Sequence, residues 1–364
     1  MNPCATAADS LTVTDADFQE WHSFLECTPG GSYQQTSWWA IAKLMSGFRA
    51  RRFAIKRGSV TVGGAQMLYR PLPLGGAVAY VPLGPVLASE DPEVAELALT
   101  HLHRIAREQN VSYLALQAPR WSKSFAHKLR NLGFSLAFQD LAPNASVVLD
   151  LSNSLESILS KMRKTTRYDI RAAERKGIAV REGGPEDLDA FYKLLLATSR
   201  RQAFSTLKKD YLVEVWRVFS RGEHIKMFVA EFEGKPVSAA LMMAFGDTVT
   251  YWKGGWSGMH AGRYPNEALQ WAAIQWAKAH GHRYYDFGGI NRAVAKSVLA
   301  REPMTKSNGH SVSFYKLGFG GQVELFPEAL LYAYNPMFRR IRSAMFRTQW
   351  EQDLVRNILD RIRK

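Results

Sequence analysis

A run of basic side chains in the middle of the chain, residues 161–176, has the charge needed to bind phosphate. Helical spacing would place Arg163, Arg167 and Arg171 on one stripe, with Lys164 and Arg175 beside it. Guanidinium groups on the same stripe of a helix repel one another unless an anion binds between them. This segment therefore predicts a phosphate contact. A solvated helix that links two domains is the alternative interpretation.

Two polar and glycine-rich segments come later in the chain, at 284–290 and 312–321. Asp286, at the end of a buried strand, could orient an amine or accept its proton, or it could cap neighbouring backbone amides. Gly318, Gly320 and Gly321 would permit positive φ, and turn geometry is the role that we expect for them.

The formal net charge of the 364 residues is +14, which favours partners such as phosphate, nucleic acid or anionic lipid. The basic residues at 336–364 predict a C-terminal helix that docks on the protein or lies on an anionic membrane surface. We expect a cytoplasmic protein, because no segment has the length or the leader pattern of a membrane span or a secretion signal. Cys4 and Cys27 have no pairing or metal-ligand spacing, so we expect reduced thiols and no metal.

The elements that must position these residues occur twice, about 170 residues apart. Each copy begins with a helical pattern, continues with short strands and a glycine turn, and ends with an amphipathic helix before a buried strand. The corresponding segments are Asp15–Phe24 and Asp187–Leu195, Arg52–Lys56 and Lys226–Ala230, the Gly63–Gly64 and Glu233–Pro236 turns, Ala95–Gln109 and Ala268–His280, and Tyr113–Leu116 and Tyr284–Phe287. The period suits a whole domain, so we predict two copies of one α/β unit, at 1–150 and 151–335, followed by the basic helix at 336–364.

Four segments together resemble the signatures of the Fem family: 35–43, 161–171, 284–290 and 312–321. The resemblance implies two tandem GNAT-like domains with mixed, mostly antiparallel sheets, which agrees with the duplication. It also implies transfer of an amino acid from aminoacyl-tRNA to an amine on a peptidoglycan precursor. No long charged heptad segment interrupts the second copy, so the coiled-coil arm of some family members is expected to be absent.

The resemblance also implies roles for individual residues. The aromatic-lysine pair of the family corresponds to Tyr315 and Lys316, and the ammonium of Lys316 would suit the developing oxyanion or the terminal tRNA phosphate. A surface lysine in a β-turn is the alternative. An aminoacyl ester is already activated, so we expect no cofactor and no covalent nucleophile, with aminoacyl-tRNA as co-substrate. Asp286 is the third candidate catalytic residue.

The first domain would bind a nucleotide- or lipid-linked muropeptide precursor. Lys43 falls where the family uses a lysine to hold the diphosphate of its nucleotide-linked precursor. An arginine and tyrosines accompany that lysine in the family, and the candidates here are Tyr80, Arg200, Arg201, Arg263 and Tyr264. Solvated arginines and half-buried aromatic rings are the alternative interpretation of these five residues.

The sequence departs at two places from the patterns of known transferases, and other reactions therefore stay open. Many Fem sequences carry an aspartate-proline pair where this chain has Gln117–Pro119, so the acceptor need not be the usual lysine amine. Bulky residues at 259–266 occupy the place where acetyltransferases cradle coenzyme A, which disfavours that donor. An N-acyltransferase that uses acyl-CoA or an acyl carrier protein is nevertheless the second hypothesis. A nucleic-acid-binding module, explained by charge alone, is the third.

Overall fold

The computed structural model describes residues 10–73, 75–120, 122–137, 140–303 and 311–335. The predicted basic helix at 336–364 and Cys4 lie outside these residues. The chain divides into two compact units. Of the described residues, the first contains 10–142 together with 326–335, and the second contains 143–325.

The helices and strands occur in nearly the same order in the two halves of the chain, as the duplication predicts. The helices are α1 Phe18–Cys27, α2 Ser37–Leu44, α3 Pro92–Glu108, α4 Lys123–Asn131, α5 Leu155–Lys161, α6 Lys164–Arg175, α7 Leu188–Gln202, α8 Lys209–Phe219, α9 Pro265–Ala279, α10 Arg292–Leu299 and α11 Val312–Leu317. The strands are β1 Leu11–Asp15, β2 Arg49–Arg57, β3 Val60–Pro71, β4 Ala77–Val81, β5 Val86–Leu87, β6 Val111–Leu116, β7 Ser135–Leu136, β8 Ala145–Asp150, β9 Ile178–Gly183, β10 Ile225–Phe232, β11 Lys235–Phe245, β12 Thr248–Trp256, β13 Tyr284–Asp286, β14 Gln322–Leu325 and β15 Leu330–Ala333.

The two sheets share one pattern of strand pairing, except that the first has an additional strand, β5. The first runs in the order β1-β2-β3-β4-β6-β15-β7, with β5 paired to β3, and the second runs β9-β10-β11-β12-β13-β8-β14. One pair in each sheet is parallel, β4 with β6 and β12 with β13, and the remaining pairs are antiparallel. The prediction of a repeated α/β unit with mixed, mostly antiparallel sheets is confirmed.

The division between the units differs from the predicted boundary at residue 150. Strand β8, which ends at Asp150, pairs with β13 and β14 in the second sheet. Strand β15 pairs with β6 and β7 in the first sheet, so residues 326–335 belong to the first unit and not to the second. Which sheet accepts a strand depends on pairing between segments distant in sequence, which local apolar patterns do not reveal.

The predicted turn at Gly63 and Gly64 is wrong, because both residues lie inside β3. The ring of Trp21 packs against the strand there, and a Cβ on Gly64 would lie 2.6 Å from its Cζ3 atom. At Gly63 an added Cβ would lie 2.9 Å from Cγ1 of Val94 on α3. The two glycines therefore permit close packing of α1 and α3 on the sheet, rather than a reversal of the chain.

A hydrophobic core in the second unit holds the strands against α6 and α9. Its largest side chains with almost no exposure are Tyr285, Phe287 and Phe319. The rings of Phe287 and Phe319 are 4.9 Å apart, which joins the end of β13 to the turn after α11. No helix within the described residues is long and apolar enough to cross a membrane.

Candidate active site

Helix α11 buries the ammonium group that the sequence singles out. The side chain of Ser311 caps the helix by accepting the amide of Phe314 at 3.2 Å. Lys316 is 7% exposed, and its Nζ donates to the carbonyl oxygen of Gly289 at 2.7 Å. The same nitrogen lies 5.4 Å from the ring centroid of Tyr251. Lys316 is therefore a buried helical lysine, and the alternative of a surface turn is wrong.

The burial of Lys316 changes its acidity. Loss of solvent lowers the pKa of Lys316 to about 8, the charge of Asp286 opposes the change, and the charge of Lys253 adds to it. The side chain remains mainly protonated at pH 7. A cation held in a weakly solvated site interacts more strongly with a developing negative charge than it would in water.

Asp286 fixes the turn to which Lys316 binds. Its carboxylate has no exposed surface, and Oδ1 accepts the amide of Gly288 at 2.8 Å and the hydroxyl of Ser146. The Ser146 hydroxyl oxygen in turn accepts the amide of Gly289 at 3.1 Å. Asp286 thus caps backbone amides, which is one of the two roles expected from the sequence. Its contacts fix the turn whose Gly289 carbonyl accepts a hydrogen bond from the ammonium of Lys316.

Tyr315 occupies the other side of α11. Its hydroxyl is buried and has no hydrogen-bond partner among the described residues. Burial raises the pKa of Tyr315 well above its usual value, and the charge of Glu267 raises it further. Its ring lies 5.3 Å from that of Phe319, which anchors the helix on the core.

The predicted basic stripe is only partly helical, because Arg163 precedes α6 as its N-cap residue. Its Nη2 donates to the carbonyl of Phe314 at 3.2 Å, and its guanidinium lies 3.7 Å from the ring centroid of that residue. Arg167 donates to the carbonyls of Ser160 and Met162 at 2.6 and 3.1 Å. These two arginines bind backbone, while Lys164, Arg171 and Arg175 are exposed.

The glycines after α11 differ from one another. Gly320 has φ +77°, and a Cβ there would lie 2.3 Å from the carbonyl oxygen of Lys161. Positive φ was expected at Gly318 and Gly321 as well, but neither adopts it. Close packing explains both, since an added Cβ would lie 2.6 Å from Oγ1 of Thr166 and 2.7 Å from the carbonyl oxygen of Val148, respectively.

Two precursor-binding candidates, Lys43 and Tyr80, lie in the first unit. Lys43 is in the last turn of α2, with its Nζ 4.8 Å from the ring centroid of Trp39. Tyr80 lies on β4, and its ring is 5.1 Å from that of Phe48. The buried amide of Gln35 ties the segment before α2 to the sheet, because its Nε2 donates to the carbonyl of Pro82 at 2.7 Å.

The other candidates form two groups in the second unit. Arg200 and Arg201 are exposed at the end of α7, and Arg201 donates to the carbonyl of Trp256 at 2.8 Å. Arg263 precedes α9 and donates to the carbonyl of Lys176 at 2.6 Å. Tyr264 follows it, with the Lys176 Nζ 4.4 Å from its ring centroid. Neither pair has a described contact with Lys316.

Gln117, where the resemblance in sequence led us to expect an aspartate, binds only backbone groups among its contacts in the first unit. Its Nε2 donates to the carbonyls of Ala142 and Pro327 at 3.1 and 2.9 Å. Its Oε1 accepts the amides of Leu141 and Ala142 at 2.9 and 2.8 Å. The side chain is fully buried, so all of its hydrogen-bonding capacity is used by backbone.

Sequence reasoning missed two residues of the second unit. Tyr251 on β12 lies beside the Lys316 ammonium. Glu267 is half-buried in the first turn of α9, where loss of solvent raises its pKa to about 7 and the charge of Asp169 contributes. An acidic residue in the first turn of a helix is an ordinary stabilising feature, so the sequence carries no signal of this environment.

Comparison with known proteins gives consistent matches to both units. The FemAB family profile matches residues 13–131, and the acetyltransferase (GNAT) domain profile matches residues 160–295. The chain is 21% identical to a lipid II:glycine glycyltransferase of Staphylococcus epidermidis, over 78% of this chain and 85% of that protein. A second of these enzymes, from Staphylococcus aureus, is also 21% identical, over 75% and 83% of the two chains.

Solved structures show the same fold. The crystal structure of FemX superposes with a TM-score of 0.79 at 19% identity, covering 91% of this chain and 99% of that one. A tandem GNAT protein from the clavulanic acid biosynthesis pathway superposes with a TM-score of 0.53 at 12% identity, covering 90% and 99%. The two repeated units therefore have the tandem GNAT-like architecture.

Proposed function

This chain is a GNAT-like protein of the Fem family and an enzyme of the acyltransferase class, and we propose that it transfers an amino acid to an amine of a peptidoglycan precursor. Relatives named lipid II:glycine glycyltransferase support this reaction. The precursor would be lipid-linked or nucleotide-linked, and the product would carry one additional amide bond.

The observation that carries the proposal is the buried ammonium of Lys316. Attack of an amine on an activated carbonyl places negative charge on the carbonyl oxygen, and a preformed cation in a site shielded from water stabilises that charge. Lys316 is held by the Gly289 carbonyl at 2.7 Å and uses one of its three N–H donors there. The other donors would serve the oxyanion.

We propose aminoacyl-tRNA as the donor. Its ester is already activated, so the chemistry needs only positioning and charge stabilisation, and the reaction would use no cofactor. The exposed Lys164, Arg171 and Arg175 would contact tRNA phosphates beside the second unit. Arg163 and Arg167, which bind backbone carbonyls, would instead hold the segment between α5 and α6 in place.

The first unit would bind the acceptor precursor, with Lys43 and Tyr80 at its phosphates. The second unit would carry out the transfer with Lys316 and Tyr315, while Asp286 acts as a positioning residue. Arg200, Arg201, Arg263 and Tyr264 remain proposed precursor contacts. The protein would work in the cytoplasm, with a peripheral contact at the inner face of an anionic membrane that presents the lipid-linked precursor.

A transfer assay tests this function. The purified chain would be incubated with a mixture of radiolabelled aminoacyl-tRNAs and either lipid-linked or nucleotide-linked muropeptide, and the products analysed by mass spectrometry. We expect deacylated tRNA and a precursor that is heavier by one amino-acid residue. Parallel reactions would contain acyl-CoA or acyl carrier protein thioesters. Reaction with thioesters alone would contradict the proposed donor, and tRNA binding without any transfer would contradict the enzymatic function.

A further inference from the structure

Helix α2 presents large apolar side chains to solvent as well as to the core. Only Ser37 and Lys43 are polar among its eight residues, and Trp39 is buried. A helix that is apolar all round is normally buried on all sides. Ile41 and Leu44 are instead 37% and 59% exposed, and the mechanism above gives them no role.

These side chains belong to a continuous apolar surface on the first unit. Trp38, Ile41 and Met45 follow one another at helical spacing, and Leu44 lies one turn beyond Ile41. Met45 is exposed, and so is Phe18 of α1, whose ring centroid is 6.1 Å from that of Trp38. We call these five residues the apolar face. A cluster of exposed apolar side chains of this kind is typical of an interaction site.

The segment that contains α2 has charges of one sign only. Residues 27–89 include seven lysines and arginines and no aspartate or glutamate, so no carboxylate of this segment neutralises the basic groups beside the apolar face. Arg70 donates to the carbonyl of Ser46, the residue after Met45, at 3.4 Å. Arg49 is exposed at the start of β2. Neither arginine forms an ion pair within the part of the chain that the structure describes.

The acidic residues near the start of α1 are engaged elsewhere. Asp17 caps α1 by accepting two of its backbone amides, both at 3.0 Å. Glu20 forms an ion pair with Lys56 at 2.6 Å. Asp15 lines a pocket together with Arg51. These carboxylates have their own donors or cations nearby, and they leave the positive charge beside the apolar face in place.

We propose that the apolar face is the surface by which the protein docks on an anionic membrane, an inference that rests on the proposed function. Its aliphatic side chains and the ring of Phe18 enter the interfacial region of the bilayer, and the indole of Trp38 lies at the level of the headgroups. Arg49 and Arg70 contact the lipid phosphates. With eight residues, α2 is far too short to cross the bilayer and lies in the plane of its surface.

The position of Lys43 favours a lipid surface over a protein partner. This lysine lies on the same helix, with its Nζ 4.8 Å from the ring centroid of Trp39, and it is the proposed contact for the phosphates of the precursor. In a lipid-linked precursor those phosphates lie at the membrane surface, between the apolar anchor and the sugar. Insertion of the apolar face brings Lys43 to that depth. Docking therefore selects the lipid-linked precursor over the nucleotide-linked one.

Vesicle binding tests this surface directly. The full-length wild-type protein and Leu44→Gln would be sedimented with vesicles of phosphatidylcholine that contain or lack phosphatidylglycerol. We expect the wild-type protein to bind the anionic vesicles and Leu44→Gln to bind them roughly 10-fold more weakly, because the variant loses the burial of one leucine side chain. The matched control is Leu132→Gln, which alters a leucine of the first unit that is 55% exposed. It should bind as the wild-type protein does.

Arg49→Gln tests the contribution of charge. Removal of one cation should weaken binding to the anionic vesicles about 5-fold and leave binding to vesicles of phosphatidylcholine alone unchanged. A wild-type protein that binds both kinds of vesicle equally well would contradict the anionic partner.

A comparison of two acceptors separates docking from damage to the site. Transfer to a lipid-linked muropeptide in anionic vesicles would be measured beside transfer to a soluble nucleotide-linked muropeptide. Leu44→Gln should lower kcat/KM roughly 10-fold with the first acceptor and leave it unchanged with the second. Equal losses with both acceptors would overturn the inference, as would a wild-type protein that uses only the nucleotide-linked acceptor.

Other occupants of the apolar face give different results. A second copy of the chain would appear in sedimentation velocity as a wild-type dimer that Leu44→Gln dissociates. A contact with residues 336–364 of the same chain would leave vesicle binding insensitive to Leu44→Gln. Either result would overturn the docking surface and leave the proposed function intact. A wild-type protein that docks as expected but transfers no amino acid to any acceptor would contradict the proposed function alone.

Discussion

The ammonium of Lys316 and the carbonyl oxygen of Gly289 lie 2.7 Å apart, and this contact links the two glycine-rich segments of the second unit. Asp286 and Ser146 accept the two backbone amides that precede that carbonyl, those of Gly288 and Gly289. The position of the cation is therefore set by backbone that is itself fixed by two buried side chains. A preorganised cation of this kind costs little reorganisation when charge develops on a substrate.

The first prediction concerns alkaline pH. Lys316 stabilises an oxyanion only while it is protonated, and its pKa is about 8, so kcat should fall as the pH rises through that value. The acceptor amine loses its proton over the same range and would by itself raise the rate, so the two effects have opposite signs. Replacing Lys253 with methionine removes a charge that lowers the pKa of Lys316. The alkaline decline in kcat should therefore move to higher pH. A pH profile of kcat that rises steadily to pH 10 would be inconsistent with the required ammonium.

The second prediction concerns the glycine after α11. Gly320→Ala places a Cβ 2.3 Å from the carbonyl of Lys161 in a backbone with φ +77°, whereas Gly234→Ala has a similar φ of +71° and nothing within 4 Å. Gly234→Ala should lower the free energy of unfolding by about 1–2 kcal/mol, because alanine is strained in a left-handed backbone conformation even where space is open. Gly320→Ala should cost about 1–3 kcal/mol more because of the overlap. Urea unfolding measures both, and equal losses would mean that the contact with Lys161 is relieved at little cost.

The third prediction concerns the buried amide of the first unit. Gln117→Leu leaves two backbone amides and two carbonyls without their partner, at roughly 1–3 kcal/mol for each group that finds no other. Gln117→Asp should also destabilise the protein, because a carboxylate cannot donate to the carbonyls of Ala142 and Pro327. The control Gln19→Leu, at an exposed position of α1, should change the free energy of unfolding by only about 0.5 kcal/mol.

Gln117→Asp also tests function, because the resemblance to Fem proteins leads us to expect an aspartate at this position. If Gln117 contacts only backbone, Gln117→Asp should not raise kcat with any acceptor. A gain in turnover with a lysine-containing muropeptide would show instead that position 117 reaches the substrate. Product formation measured with a panel of muropeptides that differ in the acceptor amine distinguishes these outcomes.

Local sequence patterns predicted the duplication, because each copy keeps its own alternation of strands and amphipathic helices. They did not predict that β8 and β15 pair where they do. Each of these strands is a short apolar segment that would fit either sheet, and its partners lie far away in the sequence. The turn predicted at Gly63 and Gly64 was wrong for a related reason, since a glycine required for packing against Val94 or Trp21 looks the same in the sequence as a glycine in a turn.

Only those site residues that lie in a recognisable sequence motif could be predicted. Tyr315, Lys316 and Asp286 stand in recognisable glycine-rich segments, but the burial of Lys316 goes against the usual exposure of lysine and had to come from the structure. Glu267 has no motif at all. Its half-buried environment, which raises its pKa, is a property of the folded chain.

The most direct test of the account is the single-turnover rate of amide formation with both substrates saturating. It would be measured by rapid quench for the wild-type protein, Lys316→Met and the control Lys296→Met, which alters an exposed lysine of α10. Methionine fills most of the space of the lysine without its charge. We expect Lys316→Met to react about 100- to 1000-fold more slowly while Lys296→Met keeps the wild-type rate. A folded Lys316→Met protein that forms amide at the wild-type rate would contradict the central claim.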